Sequence, residues 1–183
     1  MIWLIVLIVL VVIVALVGLG LYNGLISKRN RVENAWSQID VQLKRRHDLI
    51  PNLVETVKGY AAHERGTLDA VVQARNAAMT ASTPVAAAQA ENQVTGALRQ
   101  LFALSEAYPD LKANQNFLSL QEELSATEGR VAYAGQFYND SVLTYNTGIQ
   151  KFPASIIAGR MNFKPREYFE AEEGSRDAPT VQF

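Results

Sequence analysis

The chain has 183 residues, no cysteine, and 17 Lys and Arg against 18 Asp and Glu, a formal net charge of −1. That length fits one apolar anchor and one domain with a continuous core. The missing cysteine excludes disulfides, thiol nucleophiles, iron–sulfur clusters and thiolate zinc sites, and the pI near 6.1 without a basic, aromatic-interleaved surface argues against nucleic acid.

Residues 2–22 are an uncharged apolar run, about the length that crosses a ~30 Å hydrocarbon core as a helix. Its many β-branched residues favour strand in water, but lipid requires backbone pairing within the segment, so helix wins. Trp3 and Tyr22 bracket the run as interfacial aromatics. A cleaved signal peptide is the competing reading. It fails because no positive region precedes the run, the apolar stretch is too long, and no convincing small-x-small site closes it. Lys28, Arg29 and Arg31 follow the span and no Lys or Arg precedes it, which predicts the N-terminus outside and the helical domain in the cytoplasm. The same three cations are the lipid-headgroup candidates. Gly20 and Gly24 have the spacing that lets membrane helices approach, and serve equally well as small linker residues.

From Val32 the apolar residues recur in steps of three and four: Trp36, Ile39, Leu43, then Ile50, Leu53, Val57, Tyr60, and later Leu68, Val71 and Val72. Pro51 is expected to kink this segment or start a new helix, with Asp48 available as a cap. Ser82 and Thr83 before Pro84 predict a turn and the start of a helix running to about Tyr108, with the stripe Ala88, Val94, Leu98, Leu101, Phe102 and Ser105. Tyr108-Pro109-Asp110 breaks it.

The longest stripe comes last. Phe117, Leu120, Leu124, Thr127, Val131, Ala134, Tyr138, Ser141, Tyr145, Gly148 and Phe152 predict one helix over residues 112–151 with coiled-coil-like packing. Burying stripes of this length requires the helices to fold back on one another. The expected fold is therefore all-α: an N-terminal transmembrane helix followed by an elongated antiparallel three- or four-helix bundle. The expected division is an anchor over 1–24, the bundle over 25–155, and an irregular tail over 156–183 with an acidic linker and an apolar terminus. Ile156, Ile157, Phe163, Tyr168 and Phe169 lack helical spacing and are expected to wrap the bundle end or contact the membrane surface.

The search for chemistry returns little. His63-Glu64 begins like a metalloprotease motif, but position 67 holds Thr67. His47 and His63 are too far apart along the chain to share a metal on one helix, and each is expected near the surface. No phosphate-cradling glycine loop appears and no paired-carboxylate site is specified, since Glu122-Glu123 and Glu172-Glu173 read as solvated faces. No catalytic, metal or cofactor-binding residue is therefore expected. Asn52, Asn114, Asn116, Asn139 and Asn146, beside Tyr138 and Tyr145, are candidates for fixing register between helices, or for lining a site. Lys44, Arg45 and Arg46 are expected to face a partner, because at ~1.5 Å per residue they stand about 30 Å from the membrane. The apolar terminus with Val181 and Phe183 is a second contact candidate, by strand addition or pocket insertion.

Long stretches also resemble the LemA family: Arg29 to Trp36, Ile39 to Arg46, Asp48 to Tyr60, Glu106 to Asn114, and Phe137 to Asp140, continuing through Tyr145-Asn146 and Phe152-Pro153 to Val181-Gln182-Phe183. The resemblance covers nearly the whole chain. It implies a bacterial membrane-anchored helical-bundle protein, with one branch of the family involved in organising magnetosome membranes, and it transfers no catalytic residue.

These readings lead to a non-catalytic scaffold in the bacterial inner membrane, with the lipid bilayer and further copies of the chain as partners. The alternative is an adaptor or regulator that presents the rod or tail to another membrane protein, such as a protease or signalling component.

Overall fold

The computed structural model describes residues 1–170. Within them the chain is all-helical: α1 (Ile2–Lys58), α2 (Arg65–Thr80), α3 (Pro84–Ser105), α4 (Pro109–Lys112), α5 (Gln115–Gln150) and α6 (Ala154–Arg160). The expected all-α class, a long apolar N-terminal helix followed by further helices, is what the chain adopts. The acidic stretch from Glu172 to Arg176 and the apolar terminus with Val181 and Phe183 lie outside the described residues.

The chain divides into two compact units, and neither is continuous in sequence. One joins Met1–Ser37 to Phe137–Glu167; the other holds Gln38–Gln136 and, among the described residues, those from Tyr168 to Glu170. Both long helices therefore contribute to both units.

In the second unit the end of α1, α2, α3 and the start of α5 share a core that includes Ile50, Leu53, Val57, Val71, Leu98, Leu101 and Phe117. Each such side chain, taken out of water, contributes about 1.5–3 kcal/mol before conformational entropy is subtracted. The ends of the elements follow from local chemistry. Thr83 caps α3 as expected, its hydroxyl accepting from the Ala86 N–H at 3.2 Å while Pro84 occupies the first turn. Asn114 caps α5 by accepting from the Phe117 N–H at 3.0 Å, and its amide donates to the Tyr60 hydroxyl at 2.8 Å. The Tyr108 hydroxyl donates to Glu64, and that bond is the main cause of the upward shift of its pKa.

Two expectations about the first long segment are corrected. The break in the periodic stretch that begins at Val32 comes not at Pro51 but after Lys58, where α1 ends and the chain passes through Gly59–Glu64 into α2. Pro51 neither breaks α1 nor starts a new helix, and Asp48 sits in the helix interior rather than at a cap. Proline has no N–H, so the carbonyl four residues earlier, that of His47, loses its helical donor. Arg75 of α2 supplies the substitute: its Nε donates to the His47 carbonyl at 2.7 Å.

In the first unit α1 and α5 run antiparallel. Trp36 packs on Tyr138 with ring centroids 5.4 Å apart, Lys28 lies against Gly148, and Tyr22 meets Phe163 edge-to-face at 6.0 Å. The stripe predicted for α5 is buried at Phe117, Leu124, Thr127, Val131, Ala134, Tyr138, Ser141, Tyr145 and Gly148; Leu120 is half-buried and Phe152 is exposed.

Where an irregular tail was expected, the chain first makes α6. It ends in a Schellman arrangement: Asn162 takes the left-handed conformation at φ 55°, and the Phe163 N–H reaches back to the Ala158 carbonyl at 3.0 Å. Asparagine tolerates that backbone better than any other residue with a side chain, which is why the helix stops there.

Beyond it residues 163–167 form a strap along α5. Tyr145 donates to the Lys164 carbonyl at 3.0 Å and Tyr138 to the Glu167 carbonyl at 2.9 Å. The Asn146 amide both donates to the Arg166 carbonyl and accepts from its N–H, each at 2.9 Å, as a neighbouring strand would. Asn146 therefore holds a strap, and Asn114 caps a helix, instead of setting register between helices. Asn52 and Asn116 are exposed.

Candidate membrane-anchoring site

A helix that crosses lipid must present apolar side chains outward, and α1 does so along its first part. Every side chain from Ile2 to Val17 is exposed, and no Asp, Glu, Lys or Arg interrupts the run. Among the described residues α1 is the one helix long and apolar enough to cross a membrane. Trp3 is exposed near its beginning, while Tyr22 is half-buried against Phe163. The first fully buried position, Leu25, comes just after, so the change from outward-facing to packed falls where the apolar run ends.

The three cations after the span are placed by aromatic rings and close packing. The Arg29 guanidinium lies 5.7 Å from the Phe163 ring centre and 4.0 Å from Glu33, and Arg31 lies 5.4 Å from the Phe137 ring centre. Such contacts contribute about 0.5–1 kcal/mol at exposed sites. Lys28 covers Gly148, where a Cβ would come within 3.0 Å of the ammonium nitrogen. Arg166 of the strap pairs with Glu33 at 3.1 Å. Burial raises the pKa of Tyr138 and Tyr145; the Arg166 charge works against this at both, and that of Arg29 also at Tyr145.

The Lys44-Arg45-Arg46 run does not form one surface. Lys44 is exposed, and Arg45 is exposed and 3.5 Å from Glu123. Arg46 is only 3% exposed, which corrects its assignment as a partner-facing residue. It reaches Glu91 of α3 at 3.0 Å and donates to the Thr95 hydroxyl at 2.7 Å. His47, expected near the surface, is buried with its Nε2 2.6 Å from the other oxygen of Glu91. A guanidinium sunk in an apolar core requires a partner of opposite charge, and Glu91 provides it.

The sequence carried a signal for this cluster. The apolar stripe of α1 skips from Leu43 to Ile50, and that of α3 skips from Ala88 to Val94. Arg46 with His47 fills the first gap and Glu91 the second. Among the described residues no group of three or more His, Asp or Glu side chains is placed to hold a metal.

An all-helical body joined to one outward-apolar helix defines a membrane-associated helical protein with a single candidate span. The LemA family pattern matches residues 35–183, so the chain belongs to the LemA family. It is similar to Protein LemA of Metamycoplasma hominis, at 29% identity over 164 residues that cover 87% of this chain and 74% of that one. It is also similar to the magnetosome protein MamQ of Magnetospirillum gryphiswaldense, at 25% identity over 186 residues, covering 87% and 68%.

Proposed function

We propose that this protein is a non-catalytic scaffold of the bacterial inner membrane, held by α1 and assembling with further copies of itself to organise the bilayer. The observation that carries the reading is α1, which within one unit passes without a break from the exposed apolar run of Ile2–Val17 to the buried positions Leu25, Val32 and Ala35. A span continuous with core packing ties the body to the membrane without a free linker. Large apolar side chains left exposed on the body, Val41 and Tyr133 in one unit and Leu143 in the other, offer surface for contacts between copies. The similarity to a magnetosome protein agrees with such a role.

The test is the mass of the full chain in mild detergent, by light scattering after size exclusion. A discrete oligomer is expected. A monomer overturns the scaffold reading and favours the adaptor alternative, in which exposed Lys44 and Arg45 or the C-terminal residues engage another membrane protein. Val181 and Phe183 are proposed to take part in assembly, and deleting Thr180 to Phe183 is expected to lower the oligomer mass or remove a co-purifying partner. Because the chain lacks cysteine, one introduced at Ser175 reports topology. The proposed cytoplasmic body requires it to resist an impermeant thiol reagent in intact cells and to react after lysis.

A further inference from the structure

The unit built from Met1–Ser37 and Phe137–Glu167 carries a second exposed apolar surface, separate from the span. Phe152, Ile156 and Met161 are 81%, 54% and 57% exposed on the turn after α5, on α6 and at its end. Three large apolar side chains within ten residues are thus left exposed on this stretch of the chain.

Their position along α1 gives the patch a meaning. Gly148 of α5 packs on Lys28 of α1. Two residues further on α5 ends at Gln150, about 3 Å closer to the span at ~1.5 Å per residue, and the turn that carries Phe152 follows it. Phe163, just past α6, touches Tyr22, the last residue of the apolar run. The turn and α6 are thus level with the point where α1 would leave the hydrocarbon.

Charge agrees. Residues 1–32 and 141–166 contain Lys28, Arg29, Arg31, Lys151, Arg160, Lys164 and Arg166, and no Asp or Glu. All 18 carboxylate side chains lie elsewhere, where the chain has ten Lys and Arg. Glu33 pairs with Arg29 and Arg166, and Lys28, Arg31, Lys151, Arg160 and Lys164 leave the stretch beside the span with a cationic excess, the complement of an anionic lipid surface.

We infer that the α5–α6 turn and α6 form a second, interfacial membrane contact. Phe152, Ile156 and Met161 enter the headgroup–acyl boundary of the bilayer that holds the span, and Lys151, Arg160 and Lys164 lie among anionic phospholipid headgroups. The chain then grips the membrane at two places, one across it and one on its surface. This rests on the span reading and adds a contact that the span alone does not require.

Single-cysteine variants of the full chain test it, because no native cysteine competes. Phe152→Cys and, separately, Ile156→Cys are labelled with an environment-sensitive fluorophore in phosphatidylcholine–phosphatidylglycerol vesicles. Spin-labelled lipid with its nitroxide near the headgroup is then added. Val9→Cys monitors the span, and Thr144→Cys, exposed on α5, monitors the body away from the patch.

Labels at 152 and 156 are expected to shift to the blue and lose about half their emission, whereas the label at 144 stays unquenched. Replacing Lys151, Arg160 and Lys164 together with Gln is expected to reduce that quenching about twofold or more, as is using pure phosphatidylcholine. A membrane-shielded label at 9 with unquenched labels at 152 and 156 overturns the inference and leaves the span standing. Water-exposed labels at all four positions overturn both. Equal quenching in neutral and anionic vesicles overturns the assignment of anionic headgroups.

Discussion

Pro51 shows how one backbone atom can govern the packing of two helices. Its missing N–H frees the His47 carbonyl, and Arg75 takes that carbonyl at 2.7 Å. Arg75→Met should therefore destabilise the protein by about 1–3 kcal/mol, because it strands a buried acceptor. In a Pro51→Ala background, where the new N–H satisfies the carbonyl, the same substitution should cost clearly less. Chemical denaturation of the four proteins measures the coupling, and strict additivity would show that the Arg75 bond does not replace the helical one. Glu91 is a second such residue. Glu91→Leu leaves Arg46 buried without its counter-charge and should lower stability by about 3–5 kcal/mol. Combining it with Arg46→Met and His47→Leu should restore much of that loss in the same assay.

At the scale of elements, the strap of residues 163–167 depends on phenol hydroxyls that must stay protonated to donate. Burial raises the pKa of Tyr138 and Tyr145, so the neutral forms favour the folded state. Their contribution is complete below the unfolded tyrosine value of about 10 and is lost as pH rises through the higher folded values. Stability should consequently fall above about pH 10, followed by phenolate absorbance during denaturation. Tyr145→Phe should be about 1 kcal/mol less stable near neutral pH and should show a smaller alkaline decline. An unchanged decline in this variant would place the titration elsewhere.

Much of this level was legible in the residues. The unbroken stripe from Phe117 to Gly148 specified α5, and Thr83-Pro84 specified the start of α3. What escaped was polar chemistry acting at a distance in sequence. Pro51 was visible as a helix breaker, but its compensating donor lies on another helix. The strap lacked a periodic signal because Tyr145 and Asn146 pair with backbone atoms, which every residue possesses. Asn162 ended α6 through a left-handed backbone rather than through a glycine. Lys28, Arg29 and Arg31 were legible as a cationic cluster directly after the apolar run, whereas Arg46 looked like its neighbour Arg45 until the gaps in the two stripes were seen to face each other.

For the whole molecule, the discontinuity of the first unit matters most. Its contacts join residues far apart, such as Arg166 and Glu33 at a separation of 133 positions. A chain ending at Gln136 lacks the second segment of the unit that holds Val32 and Ala35, both buried in the full chain. Amide hydrogen exchange at these two positions should be at least about tenfold faster in the truncated form. Equal protection in both forms would mean that the unit does not need its second segment.

That discontinuity also sets a schedule during synthesis. Lys28, Arg29 and Arg31 emerge from the ribosome directly behind the apolar run, more than a hundred residues before Lys151. On the proposed membrane-spanning role of α1, those early cations are the first that the insertion machinery meets. The later ones, arriving when α5 folds back beside α1, can only reinforce a decision already taken. On that reading, the side of the membrane that the body occupies is set before Lys151, Arg160, Lys164 and Arg166 have been made.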